Sequence, residues 1–151
     1  MVLLELKYGF TKNNIIKMFL QPKRSKYKKL RKGALSRLEF KKNKLKFGCI
    51  GLKTLESGFI TARQIESARQ TINKKIKKKG KLWLRIFPDY PITKKPTETR
   101  MGKGKGSVSH WSARVKGGTV IFELHGVSIK IASIALKGGS SKLSLKTKIF
   151  S

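Results

Sequence analysis

GFITARQIESARQTINKKIKKKGKLWLRIF, residues 58–87, reads as a strand, a capped helix and a second strand in direct succession. Thr61 and Gln64 have the spacing of a capping box, in which the hydroxyl and the amide each satisfy a backbone donor that the first helical turn leaves unpaired. Ile65, Ala68, Ile72 and Ile76, with Ala62 before them, then recur at helical spacing as one apolar stripe. Gly80 is placed to end the helix. The opposite face carries Arg63, Arg69, Lys74, Lys77 and Lys78, so one side of the element is built for burial and the other for an anionic surface. LWLRIF, 82–87, is too apolar and too rich in strand-forming residues for anything but a largely buried strand.

Upstream, KFGCIGL (46–52) and SGFI (57–60) read as two short strands with glycines at bends. Downstream, PDYP and the segment to Pro96 read as proline-bounded turns leading into RMGKGKG, 100–106. Trp111, Ala113 and Val115 then alternate with Ser112 and Arg114, and Gly117-Gly118 separates this run from TVIFEL, the pattern of a hairpin with a glycine turn. Ser128 is placed to cap a second helix bearing Ile131, Ala132, Ala135 and Leu136. LSLKTKIF at 143–150 alternates again as a strand. Strands and helices interleaved in this way predict an α+β domain with a mixed, mostly antiparallel sheet packed with two helices. The division is a 1–20 extension, a 21–45 basic arm and a single domain over 46–151.

Charge narrows the function. Thirty-seven Lys and Arg against seven Asp and Glu give a formal charge of +30 on 151 residues, which repels a compact chain from itself unless a polyanion lies beside it. Residues 21–53 hold thirteen of these cations and one acid, Glu39. Over 21–45 apolar residues are sparse and aperiodic, so this stretch is expected to become ordered on its partner. Cys49 is the single cysteine, which excludes an intrachain disulfide and a cysteine-rich zinc site. On a strand it is expected to be a small buried hydrophobe. No apolar run approaches the roughly 18 residues of a spanning helix. The first twenty residues lack the pattern of a secretory signal and contain no Arg, unlike a typical transit peptide.

The glycine loop is neither a P-loop, which needs G-x-x-x-x-G-K-[ST], nor a G-x-G-x-x-G dinucleotide fingerprint after a strand. A strand pattern follows it, so no helix dipole is aimed at a phosphate. Three glycines and the cations Arg100, Lys103 and Lys105 instead suit a backbone brought very close to an anionic surface. His110 and His125 have no metal-ligand spacing, and the acids are scattered singly. No enzyme, metal or cofactor is expected. In the arm, Lys23, Arg24, Lys26, Lys28, Lys29, Arg31 and Lys32 surround Tyr27, whose ring could stack on a base while the cations follow a phosphate backbone, which favours RNA. No helix-turn-helix, zinc finger or basic zipper is present to read duplex DNA. The alternative is a general basic protein binding nucleic acid or a membrane surface, for which the amphipathic helix after Thr61 gives some footing.

QPKRSKYKKLRKG, FGCIGLK, GFITARQIESAR, GKLWLRIFPDYPITKKPTETRMGKGKG and FELHGVS, in this order from about Leu20 to about Phe150, resemble the bacterial-type L-sixteen family of large-subunit ribosomal proteins. The ending GVS through KLSLKTKIF resembles its mitochondrial branch. The resemblance implies a hammerhead-like α+β sandwich bound to large-subunit rRNA near the peptidyl-transferase centre, beside the elbow of A-site tRNA and neighbouring ribosomal proteins, without a homo-oligomer or a membrane. It implies that Arg100, Met101, Gly102, Lys103, Gly104, Lys105 and Gly106 reach toward the functional centre, that the arm threads rRNA, and that the location is the mitochondrial matrix. It also carries the second helix past Gly138-Gly139, where helix propensity alone argues for a break.

Overall fold

The computed structural model describes residues 20–35, 38–77, 79–102 and 104–151; the extension before Leu20, residues 36–37 of the arm, Lys78 and Lys103 lie outside the described residues. The elements in order are β1 (Ile50–Thr54), β2 (Gly58–Thr61), α1 (Ala62–Lys75), β3 (Lys81–Leu84), β4 (Tyr90–Lys94), β5 (Ser107–Val115), β6 (Val120–His125), α2 (Ile129–Ser140) and β7 (Thr147–Phe150). The strands form two antiparallel sheets, β3-β6-β1-β7 and β2-β5-β4. With the two helices this is the expected α+β fold, in two sheets where one was expected. Both sheets and both helices share one core, in which Leu52, Phe122 and Leu124 meet Ile60, Ala113 and Val115.

The central helix forms as its sequence dictates. Thr61 Oγ1 accepts from the Gln64 amide and Gln64 Oε1 accepts from the Thr61 amide, closing the capping box. Ile65, Ala68, Ile72 and Ile76 are all buried, each isoleucine contributing about 1.5–3 kcal/mol by leaving water. The stop is different from the expected one. The helix ends at Lys75 with Ile76 as its cap, and Lys77 takes the left-handed conformation (φ 49°). Gly80 instead lets the chain pass the Val127 side chain and the His125 carbonyl. Of the LWLRIF run only Leu82, Trp83 and Leu84 are strand, forming the edge strand β3 together with Lys81, and these three residues are half-buried.

The expected hairpin does not form. Both edges of β5 are occupied by β2 and β4, and both edges of β6 by β3 and β1, so the two runs cannot pair with each other. Gly117-Gly118 lies in the Lys116–Thr119 turn, where the Thr119 amide returns to the Lys116 carbonyl at 3.1 Å and the chain crosses from one sheet to the other. The segment read as proline-bounded turns contributes β4, with Pro91 tolerated because β4 is an edge strand. Residues 46–49 are not strand: the amides of Lys46, Phe47 and Gly48 are committed to the Glu123 carboxylate rather than to a ladder.

Ser128 stands at the N-cap of α2 but its side chain makes no capping bond, and Ile131 is exposed where burial was expected. The helix continues through Gly138 and Gly139. Their lack of side chains lets α1 and α2 approach: a methyl at Gly139 would meet Ile72 Cδ1 and Cγ1 at 2.7 Å. Of the final alternating run only Thr147–Phe150 is strand, with Leu143 and Leu145 packed against the core before it. Among the described residues no helix is long and apolar enough to cross a membrane.

Candidate nucleic-acid interface

Among its described residues the arm carries no helix or strand, yet it is fastened to the domain at several points. Leu20 packs against the core. Arg114 donates to the Ala34 carbonyl at 2.8 Å, Glu39 N–H to the Gly117 carbonyl at 2.9 Å, and Val120 N–H to the Lys42 carbonyl at 3.0 Å. Beyond this, Leu45 lies over Gly51 on the outer face of the four-stranded sheet.

The structure joins the arm to the glycine loop. Lys29 Nζ donates to the Lys105 carbonyl at 2.7 Å, and Lys105 Nζ donates to the Leu30 carbonyl at 2.5 Å. This reciprocal clasp brings two basic segments, 76 residues apart in sequence, into contact. Each ammonium carries three donors, so an acceptor on the partner can still be reached from both. Around the clasp Lys23, Arg24, Lys26, Lys28, Arg31 and Lys32 are exposed, and Tyr27 is 59% exposed with Lys26 Nζ 5.6 Å from its ring centroid. Lys32 Nζ lies 5.8 Å from the Phe59 ring.

In the loop, Arg100 is exposed and Met101 fully so. Gly102 and Gly104 adopt φ of 93° and 81°, conformations that L side chains rarely take, and a methyl on either would point into open space. Lys95 Nζ holds the Gly102 carbonyl at 2.6 Å. Gly106 differs, because a methyl there would strike the Lys94 carbonyl oxygen at 2.6 Å where the loop closes onto β4.

The helical cations are not gathered into this cluster. Arg63, Lys74 and Lys77 are exposed on or just beyond α1, and among the described residues no hydrogen bond or ion pair joins them to the arm or the loop. Arg69 is engaged by Glu66, its Nε at 2.8 Å and Nη2 at 2.7 Å, and this bond holds the Glu66 carboxyl below its usual range against the opposing effect of burial. The apolar stripe that a membrane-surface helix would need is buried against α2 and the sheets.

Sequence reasoning missed Glu123. It is fully buried on β6, and its carboxylate accepts from the amides of Phe47 (2.7 Å), Gly48 (2.9 Å) and Lys46 (3.2 Å) and from Arg85. Burial alone would raise its pKa; the three amides and the guanidinium outweigh it and hold the carboxyl below its usual range. The signal was present: Glu123 and Arg85 are single opposite charges in two otherwise apolar runs that pair in the same sheet. Cys49 also departs from expectation, being exposed with Sγ 3.0 Å from His125 Nδ1.

Among the described residues three ion pairs form, so most of the positive charge has no carboxylate partner within the protein. A family profile described as Ribosomal protein L16p/L10e matches residues 22–150, from the first proline of the arm to the last strand. The chain belongs to the ribosomal protein L16p/L10e family. Proteins named large ribosomal subunit protein uL16 from Borreliella burgdorferi and Borreliella afzelii are 57% identical over 128 residues, and that of Borrelia turicatae is 55% identical; each match spans 85% of this chain and 93% of the relative. As a member of the L16p/L10e family the chain is a structural ribosomal component and not an enzyme. The family match takes in the arm, both sheets and the glycine loop together, so the clasp lies inside the shared region.

Proposed function

We propose that the chain is a structural constituent of the large ribosomal subunit whose arm and glycine loop together bind large-subunit rRNA. The observation that carries this is the Lys29–Lys105 clasp, which unites the two basic segments into one surface with an exposed tyrosine and no ion-paired cation among the described residues. In this reading Lys23, Arg24, Lys26, Lys28, Arg31 and Lys32 neutralise phosphates, Tyr27 stacks on a base, and Arg63, Arg69, Lys74 and Lys77, on or just beyond α1, form a separate, weaker footing; Lys78, outside the described residues, is proposed with them from sequence alone. Arg100, Met101, Gly102, Lys103, Gly104, Lys105 and Gly106 extend toward the peptidyl-transferase centre and the A-site tRNA elbow, as the family resemblance implies. Conformations that favour glycine let that backbone approach packed RNA.

The ending GVS through KLSLKTKIF supports a place in the mitochondrial ribosome. The relatives named above are bacterial, so the mitochondrial assignment rests on that ending alone. Sedimentation of the tagged chain with large subunits from purified mitochondria tests it, and co-migration with no ribosomal particle removes it.

Binding is driven by counterion release. With about eight phosphates neutralised, log Kobs for a large-subunit rRNA fragment should fall against log salt with a slope of about −6 to −7. Filter binding between low and moderate salt measures this, and an affinity indifferent to salt contradicts the reading.

A further inference from the structure

A second aromatic and cationic surface lies on the outer face of the four-stranded sheet. Trp83 on β3 and Phe47, carried there by the end of the arm, have ring centroids 6.0 Å apart and planes within 20° of parallel. Lys81 Nζ is 5.2 Å from the Trp83 centroid, Lys46 Nζ is 5.5 Å and Arg85 Cζ is 5.4 Å from that of Phe47. The His125 ring borders Trp83 at 6.4 Å. Phe47 is 49% exposed and Trp83 half-buried, so the rings are held in place while part of each stays open to solvent. The one carboxylate beneath them, Glu123, is fully buried and occupied by Arg85 and three backbone amides. It therefore fixes the platform while adding no accessible negative charge.

Such a surface has a specific complement. An aliphatic protein partner would not exploit the cations, and a duplex presents phosphates but keeps its base faces stacked internally. Near-parallel aromatic rings with flexible ammonium groups and a guanidinium lying over them suit a flat π-system with phosphates attached to it, which can draw the ammonium groups off the rings. We propose that Phe47 and Trp83 form a stacking platform for an unpaired RNA base, with Lys46 and Lys81 on the flanking phosphates. This rests on the rRNA-binding reading and adds to it a second contact, made through the sheet rather than through the clasp.

The test uses the full chain with Trp111→Phe, which leaves Trp83 as the sole tryptophan. Short oligoadenylate should bind with saturable quenching of Trp83 emission, whereas a fully paired RNA duplex should bind through charge and leave that emission unchanged. Phe47→Ala should weaken oligoadenylate binding by about tenfold with its salt slope unaltered, while Lys46→Ala with Lys81→Ala should flatten the slope by about 1.5. Melting curves establish that each variant is folded, and the quenching measurement needs no change at Phe47. Equal quenching by duplex, quenching by polyglutamate as strong as by oligoadenylate, or oligoadenylate binding with Trp83 emission unchanged overturns the platform. In the last case RNA binding through the arm and loop still stands, and only a failure of every RNA to bind removes both proposals.

Discussion

At the scale of single residues, Glu123 decides how the arm ends on the domain. Its carboxylate holds Lys46, Phe47 and Gly48 by their amides and pairs with Arg85, so truncation leaves three donors and a guanidinium without an acceptor. Glu123→Ala should cost about 3–5 kcal/mol, the range for breaking a buried pair from one side. Glu123→Gln should cost less, because an amide oxygen still accepts. Because folding lowers the pKa of this carboxyl, its contribution is complete above the unfolded value of about 4.3 and is lost as pH falls through the lower folded value. The gap in Tm between the wild type and Glu123→Gln should therefore be widest near neutral pH and close under acid conditions. A gap constant down to the most acid pH at which the fold survives would show that the carboxylate charge contributes nothing.

At the scale of elements, α1 was legible because its capping box and isoleucine stripe are local, needing nothing from the rest of the chain. The pairing of β5 and β6 was not. Alternation and a glycine turn mark two strands, but which edges are free depends on β1–β4, and those edges were already taken. The second helix shows the same limit, since glycine's low propensity argues for a break and only the neighbouring helix explains its use. The two glycines should respond differently to alanine. At Gly139 the new methyl meets the stiff, buried Ile72, so Gly139→Ala should destabilise by about 1–3 kcal/mol as an overpacked core does. At Gly138 it meets the flexible end of the exposed Lys75, which can swing away. Gly138→Ala should be neutral or gain up to about 1 kcal/mol from helix propensity. Thermal melting separates them, and equal destabilisation by both would mean that α1–α2 spacing does not depend on Gly139 in particular.

At the scale of the whole molecule, the arm and the loop were each legible from charge and glycine content, whereas their clasp was not, because a lysine bonding to another lysine's carbonyl leaves no mark in sequence. The clasp sets two basic segments side by side in a chain whose formal charge is +30 and in which three ion pairs form among the described residues. Two effects of salt then oppose each other. In the free protein, added salt screens repulsion among the cations and should raise Tm. In the rRNA complex the stabilisation from binding scales with ligand concentration over Kd, and salt raises Kd steeply through lost counterion release. Its Tm should start above that of the free protein and fall as salt is added, until the two curves converge. Melting the full chain with and without a large-subunit rRNA fragment across a salt series gives both slopes. If salt moves both curves in the same direction throughout, phosphate is not the counter-charge that this fold is built around.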